Sequence, residues 1–164
     1  MTSESSWSKL GGMQSVSEAK PVAILFVCYG NACRSQMAEA FANLLGDGRV
    51  RAWSAGSQPL GSIIDETYAV LAEKGISIDH HWSKGLKSVN VAAMDAVVTM
   101  GCEVACPLPK DFKGRIVEWE IADPCGMGLD FFRSVRDHIE AEVRMLLESL
   151  KEGKPEATTP AQEA

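Results

Sequence analysis

A cysteine and an arginine six positions apart, Cys28 and Arg34, are the residues of this sequence best suited to chemistry on an anion. A thiolate is a strong nucleophile, and a planar guanidinium group can hold two oxygens of a tetrahedral anion at once. Gly30 and Asn31 lie between them and readily adopt positive φ, so the loop can turn its backbone N–H groups toward a bound anion. The complete oxyanion-binding loop would be Tyr29, Gly30, Asn31, Ala32, Cys33, Arg34 and Ser35.

A predicted strand and a predicted helix hold this loop. Residues 22–28 are a continuous apolar run, typical of a strand buried on both faces, and residues 35–45 carry apolar side chains at helical spacing before Gly46. A helix N-terminus beside Arg34 would favour the thiolate form of Cys28, to which Ser35 could donate its hydroxyl. The alternative is a tight strand-to-helix turn with a buried, inert cysteine.

Strand-like and helix-like segments alternate along the rest of the chain. A second helix is predicted to begin at Ser62 as its N-cap and to end near Gly75, and a third helix covers residues 130–151. Strands separated by helices imply right-handed crossovers in a parallel sheet. We therefore expect a small α/β three-layer sandwich with a four-stranded parallel sheet. The other three strands are predicted at residues 50–54, 95–100 and 115–119.

The composition restricts the partners and the compartment. A chain of 164 residues can bury one core, and we expect a catalytic domain over residues 21–151 between disordered tails at 1–20 and 152–164. A net charge of -6 without a Lys/Arg run disfavours nucleic acid as a partner. The sequence has neither an apolar stretch long enough to span a membrane nor the pattern of a leader, so we expect no membrane partner. We expect a cytoplasmic monomer whose five cysteines stay reduced, which indicates chemistry or metal rather than structural disulfides.

The segment CYGNACRSQMAEA resembles the active-site loop of the low-molecular-weight tyrosine phosphatase superfamily, which includes the thioredoxin-coupled arsenate reductases. The resemblance continues through 53–56, 74–77 and 95–100 and ends with Asp123-Pro124 and the last helix. It implies a four-stranded parallel sheet with helices on both faces. It also implies that Cys28 is the nucleophile, Arg34 the oxyanion holder and Asp123 the general acid. Asn31 would keep the loop in shape, and Ser35 would bond the thiolate.

Three features favour the reductases within that superfamily. Gln36 stands where the phosphatases usually have proline, and residues 125–128 follow the Asp-Pro pair with no tyrosine. Cys102 and Cys106 come directly after a strand, where the reductases keep their redox cysteines. The resemblance thus implies arsenate reductase, with a relay from Cys28 through Cys102 to Cys106. The alternative is a protein tyrosine phosphatase that hydrolyses phosphotyrosine through a cysteinyl-phosphate intermediate.

The redox pair departs from the thioredoxin-coupled pattern, because Gly101 precedes Cys102 and only three residues separate it from Cys106. The external thiol reductant therefore stays open between thioredoxin and glutaredoxin with glutathione. We expect no bound cofactor and no metal, although Cys102 and Cys106 could be core residues. A zinc site from these two, Cys125 and His80 or His81 is a further alternative. Cys125 is otherwise without an assigned role, with a resolving thiol beside Asp123 as its alternative.

Two other interpretations concern the loop after the second helix and the activity as a whole. His80, His81, Trp82 and Lys84 form a polar segment that is predicted to be a solvated loop, with an approach to the site from the side as the alternative. A non-enzymatic module that binds a small oxyanion, arsenate or phosphate in type, would keep the loop but would need neither Cys28 nor Asp123.

Overall fold

The computed structural model describes residues 20–101 and 108–151, in which four parallel strands form one sheet in the order β2-β1-β3-β4. Crossovers to both sides of β1 place the first strand in the interior of the sheet, between β2 and β3. The strands are β1 (Val22–Cys28), β2 (Val50–Gly56), β3 (Ala96–Met100) and β4 (Arg115–Trp119), and the α-helices are α1 (Arg34–Leu45), α2 (Asp65–Ala72) and α3 (Leu129–Lys151). The α/β fold predicted from the sequence is confirmed.

The two faces of the sheet are covered differently. Alternation along β1 sends Ile24, Phe26 and Cys28 to one face, where they pack with the apolar sides of the three α-helices. Leu25 and Val27 point to the other face, where short 3₁₀ helices at Leu86–Ser88 and Val91–Ala93 supply part of the cover, together with Leu108 and Phe112. β1 is therefore buried on both faces, which fixes the height and direction at which Cys28 leaves the sheet.

The start of α2 corrects one prediction. Ser62 is exposed and does not cap the helix, which begins at Asp65 with Ile64 as its N-cap residue. The chain is tied down before the helix starts, because the backbone N–H of Ile64 donates to the carbonyl oxygen of Ala32 at 3.2 Å. The hydroxyl of Thr67 donates to the same oxygen at 2.8 Å. These contacts to the candidate loop, rather than a serine cap, set the position of α2.

Several predicted boundaries shift by one or two residues. β2 continues to Gly56 because Ala55 and Gly56 still pair with the end of β1, and α1 begins at Arg34. Among the described residues, no helix is long and apolar enough to cross a membrane. The predicted tails, apart from Lys20, lie outside the described residues, as do Cys102 and Cys106.

A pocket of about 600 Å³ opens at the amino ends of the strands, on the opposite edge of the sheet from Cys28. Lys20 lines it from the start of the described chain and Leu150 from the end of α3, with Asp95 and Arg115 between them. No cysteine lines this pocket among the described residues, so the candidate chemistry lies at the other edge.

Candidate active site

The loop after β1 presents its amides to one side. Cys28 is the last residue of β1, at the carboxyl edge of the sheet, where ligands of open α/β folds bind. Backbone N–H groups from residues 57–64 donate to the carbonyl oxygens of Cys28, Tyr29, Gly30 and Ala32 at 2.8–3.2 Å. Within the described chain, the N–H groups of residues 30–33 donate to no other group. With the carbonyl groups bonded outward, these amides line a concavity of the kind in which anions bind.

Asn31 holds this conformation. It is the loop residue with positive φ, 51°, whereas Gly30 does not adopt positive φ, although both had been expected to. The side-chain oxygen of Asn31 accepts the backbone N–H of Lys84 at 2.8 Å and Nε2 of Gln36 at 2.9 Å. Its Nδ2 donates to Oγ of Ser35 at 2.7 Å and to Oγ of Ser54 at 3.0 Å. One fully buried amide thus joins the loop to α1, to β2 and to the segment after α2.

The network also fixes the direction of the hydrogen bond at the cysteine. Oγ of Ser35 lies 3.0 Å from Sγ of Cys28, and either atom could be the donor from geometry alone. Because the amide of Asn31 already donates to the same hydroxyl oxygen, the hydroxyl hydrogen of Ser35 is left to point at the sulfur. This hydrogen bond holds Sγ of Cys28 in place at the end of β1.

Gly56 supports the loop from below, at the end of β2. A Cβ atom on this residue would lie 2.7 Å from the carbonyl oxygen of Tyr29 and 2.9 Å from the backbone nitrogen of Asn31. Both neighbours are backbone atoms of the loop and cannot rotate away. Glycine is therefore required here by close approach, and the loop rests directly on the backbone of the adjacent strand.

Arg34 is buried and held from one side. Its Nη1 donates to the carbonyl oxygens of Met100 at 2.8 Å and Ile121 at 3.2 Å. This leaves Nε and Nη2, the edge of the guanidinium group that carries two parallel N–H bonds. Nη2 lies 3.6 Å from Oδ2 of Asp123, whose side chain is 54% exposed. The anchored arginine thus presents its two-pronged edge to the loop mouth, next to a carboxylate.

A pocket of about 190 Å³ joins these groups. Its walls include Cys28, Arg34 and Asp123, together with two further cysteines, Cys33 and Cys125. Cys125 is exposed, and its backbone N–H donates to Oδ1 of Asp123 at 3.1 Å. The remaining lining residues are Tyr29, Gly30, Ala32, Leu60 and Ile64. The structure therefore brings the predicted nucleophile, oxyanion holder and acid together, and places beside them Cys125, for which the sequence had left a zinc ligand or a resolving thiol as alternatives.

Cys33 is chemically the opposite of an activated thiol. It is buried at the N-cap position of α1, and burial raises its pKa to about 12 despite a side-chain hydrogen bond with Thr67. The neighbouring charges of Cys28, Asp123 and Cys125 act in the same direction as burial. Cys33 is consequently a neutral thiol at physiological pH, and its contribution to an anion site is its backbone N–H.

In the segment after α2, His80 and Trp82 are exposed as predicted for a solvated loop, but Lys84 and the side chain of His81 are buried, which corrects the sequence interpretation for these two residues. The side chain of His81 is 5% exposed, and its Nδ1 lies 2.8 Å from Oε1 of Gln36. Since that oxygen only accepts, Nδ1 carries the hydrogen, and Nε2 faces Oε2 of Glu39 at 3.7 Å. Glu39 in turn accepts the hydroxyl of Ser54 at 2.6 Å, and burial raises its pKa. Lys84 is also buried, which lowers the pKa of its amine.

Acid is expected to weaken the fold through His81. Burial, helped by the charges of His80 and Lys84, lowers the pKa of His81 from 6.5 to about 4. Between pH 6.5 and pH 4, His81 is protonated in the unfolded chain but not in the folded chain. The free energy of unfolding therefore has its full value above pH 6.5 and falls as the pH approaches 4. The His81→Gln variant can still donate to Gln36 and does not titrate. On going from about pH 7.5 to about pH 5, the wild type should lose about 2 kcal/mol more unfolding free energy than the variant in urea titrations. If the free energy of unfolding fell equally with pH in both proteins, burial would not lower the pKa of His81.

Three interpretations of Cys102 and Cys106 stay open. Cys102 and Cys106 lie outside the described residues, so neither their relay nor a core role is tested, and the same holds for a zinc site that includes them. Within residues 20–101 and 108–151, no three His, Cys, Asp or Glu side chains form a group that could hold a metal ion.

Known proteins share this arrangement along most of the chain. The family model described as low molecular weight phosphotyrosine protein phosphatase matches residues 23–156. A glutaredoxin arsenate reductase of Synechocystis is 36% identical over 126 residues, which cover 76% of this chain and 95% of that protein. An arsenate reductase of Staphylococcus epidermidis is 37% identical over 123 residues, which cover 73% and 91%. A solved structure of an arsenate reductase in its phosphate-binding state superposes with a TM-score of 0.69 at 31% identity, covering 78% of this chain and 98% of that one.

Proposed function

This chain belongs to the low molecular weight phosphotyrosine protein phosphatase family, and we propose that its reaction is the reduction of arsenate to arsenite by thiols. The observation that carries the proposal is the amide concavity over Cys28, closed by the two-pronged edge of Arg34. This geometry suits a tetrahedral oxyanion, and the chain's relatives at 36% and 37% identity are named arsenate reductases. Arsenate and phosphate share that shape, so the choice between reduction and hydrolysis depends on what happens after the first step.

The first step is attack by Cys28 on the bound anion. The N–H groups of residues 30–33 and the N-terminus of α1 would hold the oxygens, and Arg34 would grip two of them. The anion must then displace the carboxylate of Asp123 from the vicinity of Nη2 of Arg34, since both are negative. The central atom comes to lie over Sγ of Cys28, to which the hydroxyl of Ser35 donates.

Asp123 is positioned to protonate the oxygen that leaves. Its carboxyl group lines the pocket with Cys28 and is solvent-accessible on one side, so it can take a proton from water and pass it to the anion. The sulfur–arsenic bond forms as an arsenic–oxygen bond breaks, and the oxygen departs as water. The same proton transfer would serve an aryl phosphate, whose leaving group is a phenolate.

Reduction requires a second thiol. We assign this role to Cys102, and Cys106 is the third thiol, which acts after it. Cys102 attacks Sγ of the Cys28 adduct, arsenic leaves with the two bonding electrons as arsenite, and a Cys28–Cys102 disulfide remains. Cys106 then attacks Cys102, which frees Cys28 and leaves a Cys102–Cys106 disulfide for an external reductant. A Cβ atom added to Gly101, the described residue before Cys102, would lie 3.2 Å from Nη1 of Arg34, so the chain passes close to the site at Gly101.

An external dithiol completes the cycle. Glutaredoxin or thioredoxin would serve as this reductant. We place the enzyme, as a monomer, in the reducing cytoplasm. The relative in Synechocystis, which is named a glutaredoxin arsenate reductase, supports glutaredoxin as the first reductant to try. No bound cofactor is needed, because all electrons come from thiols.

Two parallel assays test the proposed function. The protein is given arsenate with a dithiol while arsenite and thiol loss are measured, and separately para-nitrophenyl phosphate while phenolate release is measured. Arsenite formation with matching thiol oxidation is the expected result. Brisk phenolate release without arsenate-dependent thiol oxidation would identify a phosphatase instead. Phosphate binding with neither reaction would identify an anion-binding module.

The Asp123→Asn variant is expected to separate binding from proton transfer. Asparagine keeps the size of the side chain but cannot donate an acidic proton, so para-nitrophenyl phosphate turnover should fall by about a hundredfold or more. Inhibition by phosphate should be preserved or slightly tighter, because the carboxylate 3.6 Å from Nη2 of Arg34 no longer competes with the anion. The measurement is kcat together with the inhibition constant of phosphate. An unchanged kcat would mean that another residue is the acid.

A further inference from the structure

We propose that Cys125 is a second reducing thiol of the same pocket, which joins Cys28 on arsenic and leaves a Cys28–Cys125 disulfide. This inference rests on the proposed arsenate reduction and adds a residue to it. It assigns a role to a cysteine that lies two positions after Asp123, in the segment just before α3.

The position of Cys125 is set by groups that already belong to the site. Its backbone N–H donates to Oδ1 of Asp123 at 3.1 Å, and the other carboxylate oxygen lies 3.6 Å from Nη2 of Arg34. Cys28 and Cys125 line one pocket of about 190 Å³. An arsenic atom bonded to Cys28 would therefore lie in the pocket that Cys125 also lines.

Of the two other described cysteines in the pocket, Cys125 is the one suited to this chemistry. Cys33 is buried within the turn into α1, and burial raises its pKa to about 12, which keeps it protonated and unreactive. Cys125 is exposed on a segment outside regular secondary structure. Its thiol is therefore open to solvent, and the segment can move without breaking a helix or a strand.

The geometry points to attack on arsenic rather than on the sulfur of Cys28. Cys28 is 2% exposed, and its sulfur faces Ser35 on one side, so a bound arsenic would cover its open side. Cys125 lies beside Asp123, whose Oδ2 is 3.6 Å from Nη2 of Arg34, the group that would hold the oxygens of the anion. The thiol would meet arsenic first, and Asp123 stands next to it to protonate the oxygen that is displaced.

The reaction balances with these two thiols alone. The Cys28–S–AsO(OH)₂ adduct and the thiol of Cys125 lose one water to give Cys28–S–AsO(OH)–S–Cys125, in which arsenic is still As(V). The two sulfur atoms then bond to each other as both sulfur–arsenic bonds break. One of the two electron pairs forms the disulfide bond, and the other stays on arsenic, which becomes As(III). The products are the Cys28–Cys125 disulfide and HAsO₂, which adds water to become arsenious acid.

The test uses the full chain with the relay removed. In the Cys102→Ser/Cys106→Ser double variant, arsenate without external thiol is expected to give about one arsenite per protein molecule. Mass mapping after acid quenching and alkylation should then show Cys28 linked to Cys125. Adding Cys125→Ser should abolish both signals, whereas adding Met127→Ser, an exposed neighbour on the same segment, should preserve them. Cleavage of para-nitrophenyl phosphate in each variant shows that the Cys28 loop is folded. If the double serine variant does not cleave para-nitrophenyl phosphate, the test is made with alanine at positions 102 and 106 instead.

The outcomes separate this inference from the function on which it rests. If the wild type oxidises thiols with arsenate while the double variant forms no arsenite, the proposed function stands and the role of Cys125 is overturned. A Cys28–Cys33 link in the double variant, in place of Cys28–Cys125, overturns it as well. If the wild type itself shows no arsenate-dependent thiol oxidation, the proposed function fails first, and the assignment of Cys125 fails with it.

Discussion

Replacing Arg34 by lysine is expected to lower kcat/KM by about a thousandfold, for arsenate reduction and aryl phosphate cleavage alike. Lysine keeps one positive charge but cannot donate to the carbonyl oxygens of Met100 and Ile121 while also presenting a second edge to the anion. The two carbonyl groups, 66 and 87 residues away in sequence, lose their partner at the same time. Steady-state kinetics and the inhibition constant of phosphate measure both losses, in turnover and in anion binding.

A matched control separates charge from geometry. Arg144 on α3 has an exposed side chain paired with Glu140 at 2.7 Å, so Arg144→Lys makes the same exchange far from the pocket. We expect its kinetics to match those of the wild type. If Arg34→Lys also retained wild-type phosphate inhibition, the anion would be held by charge alone and the two-pronged contact would not exist.

Replacing Cys102 by serine is expected to bring multiple turnover of arsenate nearly to a stop while para-nitrophenyl phosphate cleavage continues. Only reduction needs a thiol that carries the oxidised pair away from Cys28, whereas ester cleavage needs Cys28, Arg34 and Asp123 alone. The measurement is the steady-state rate of arsenite formation with a protein dithiol, divided by the rate of phenolate release by the same sample. That ratio should fall by two orders of magnitude or more, about the size of effect seen when a covalent step is blocked.

The Cys106→Ser variant should stop one step later. It should complete about one turnover and then hold a Cys28–Cys102 disulfide, because the thiolate that would release it is missing. With glutathione as reductant, Cys106 could prove dispensable while Cys102 does not, since a small thiol can reach the first disulfide itself. Wild-type rates for both serine variants would remove these cysteines from the reaction.

Local pattern was enough to predict the strand, the loop and the helix that surround Cys28. The apolar run of β1 and the Gly-Asn pair carry their information within a few residues, and the family resemblance added Asp123. The anchoring of Arg34 could not be predicted this way, since Met100 and Ile121 offer backbone carbonyls whose positions only the fold determines.

The same limit explains the errors around Ser62 and His81. Ser62 has the side chain of a good N-cap, but the tie from Ile64 to Ala32 decides where α2 begins. His81 stands in a polar stretch that is typical of a loop, yet the side chain is buried against Gln36. The sequence signal for a buried His81 was Gln36, a glutamine in the first turn of a helix that follows the anion loop. Its amide bonds the loop residue Asn31, and its remaining oxygen requires a donor from elsewhere.

The opening lined by Lys20 and Leu150 has a practical consequence for how the protein can be attached to a surface. Strand β1 is seven residues long and separates this opening from Cys28 by about 20 Å at the usual rise per residue. The side chain of Lys20 is exposed there, so a support or an electrode coupled at this amine would face the rear of the sheet. The mouth beside Asp123 would then point toward bulk solvent, and an immobilised layer would keep its anion sites open to the sample. A coupling through Cys125, by contrast, would place the linker in the entrance itself.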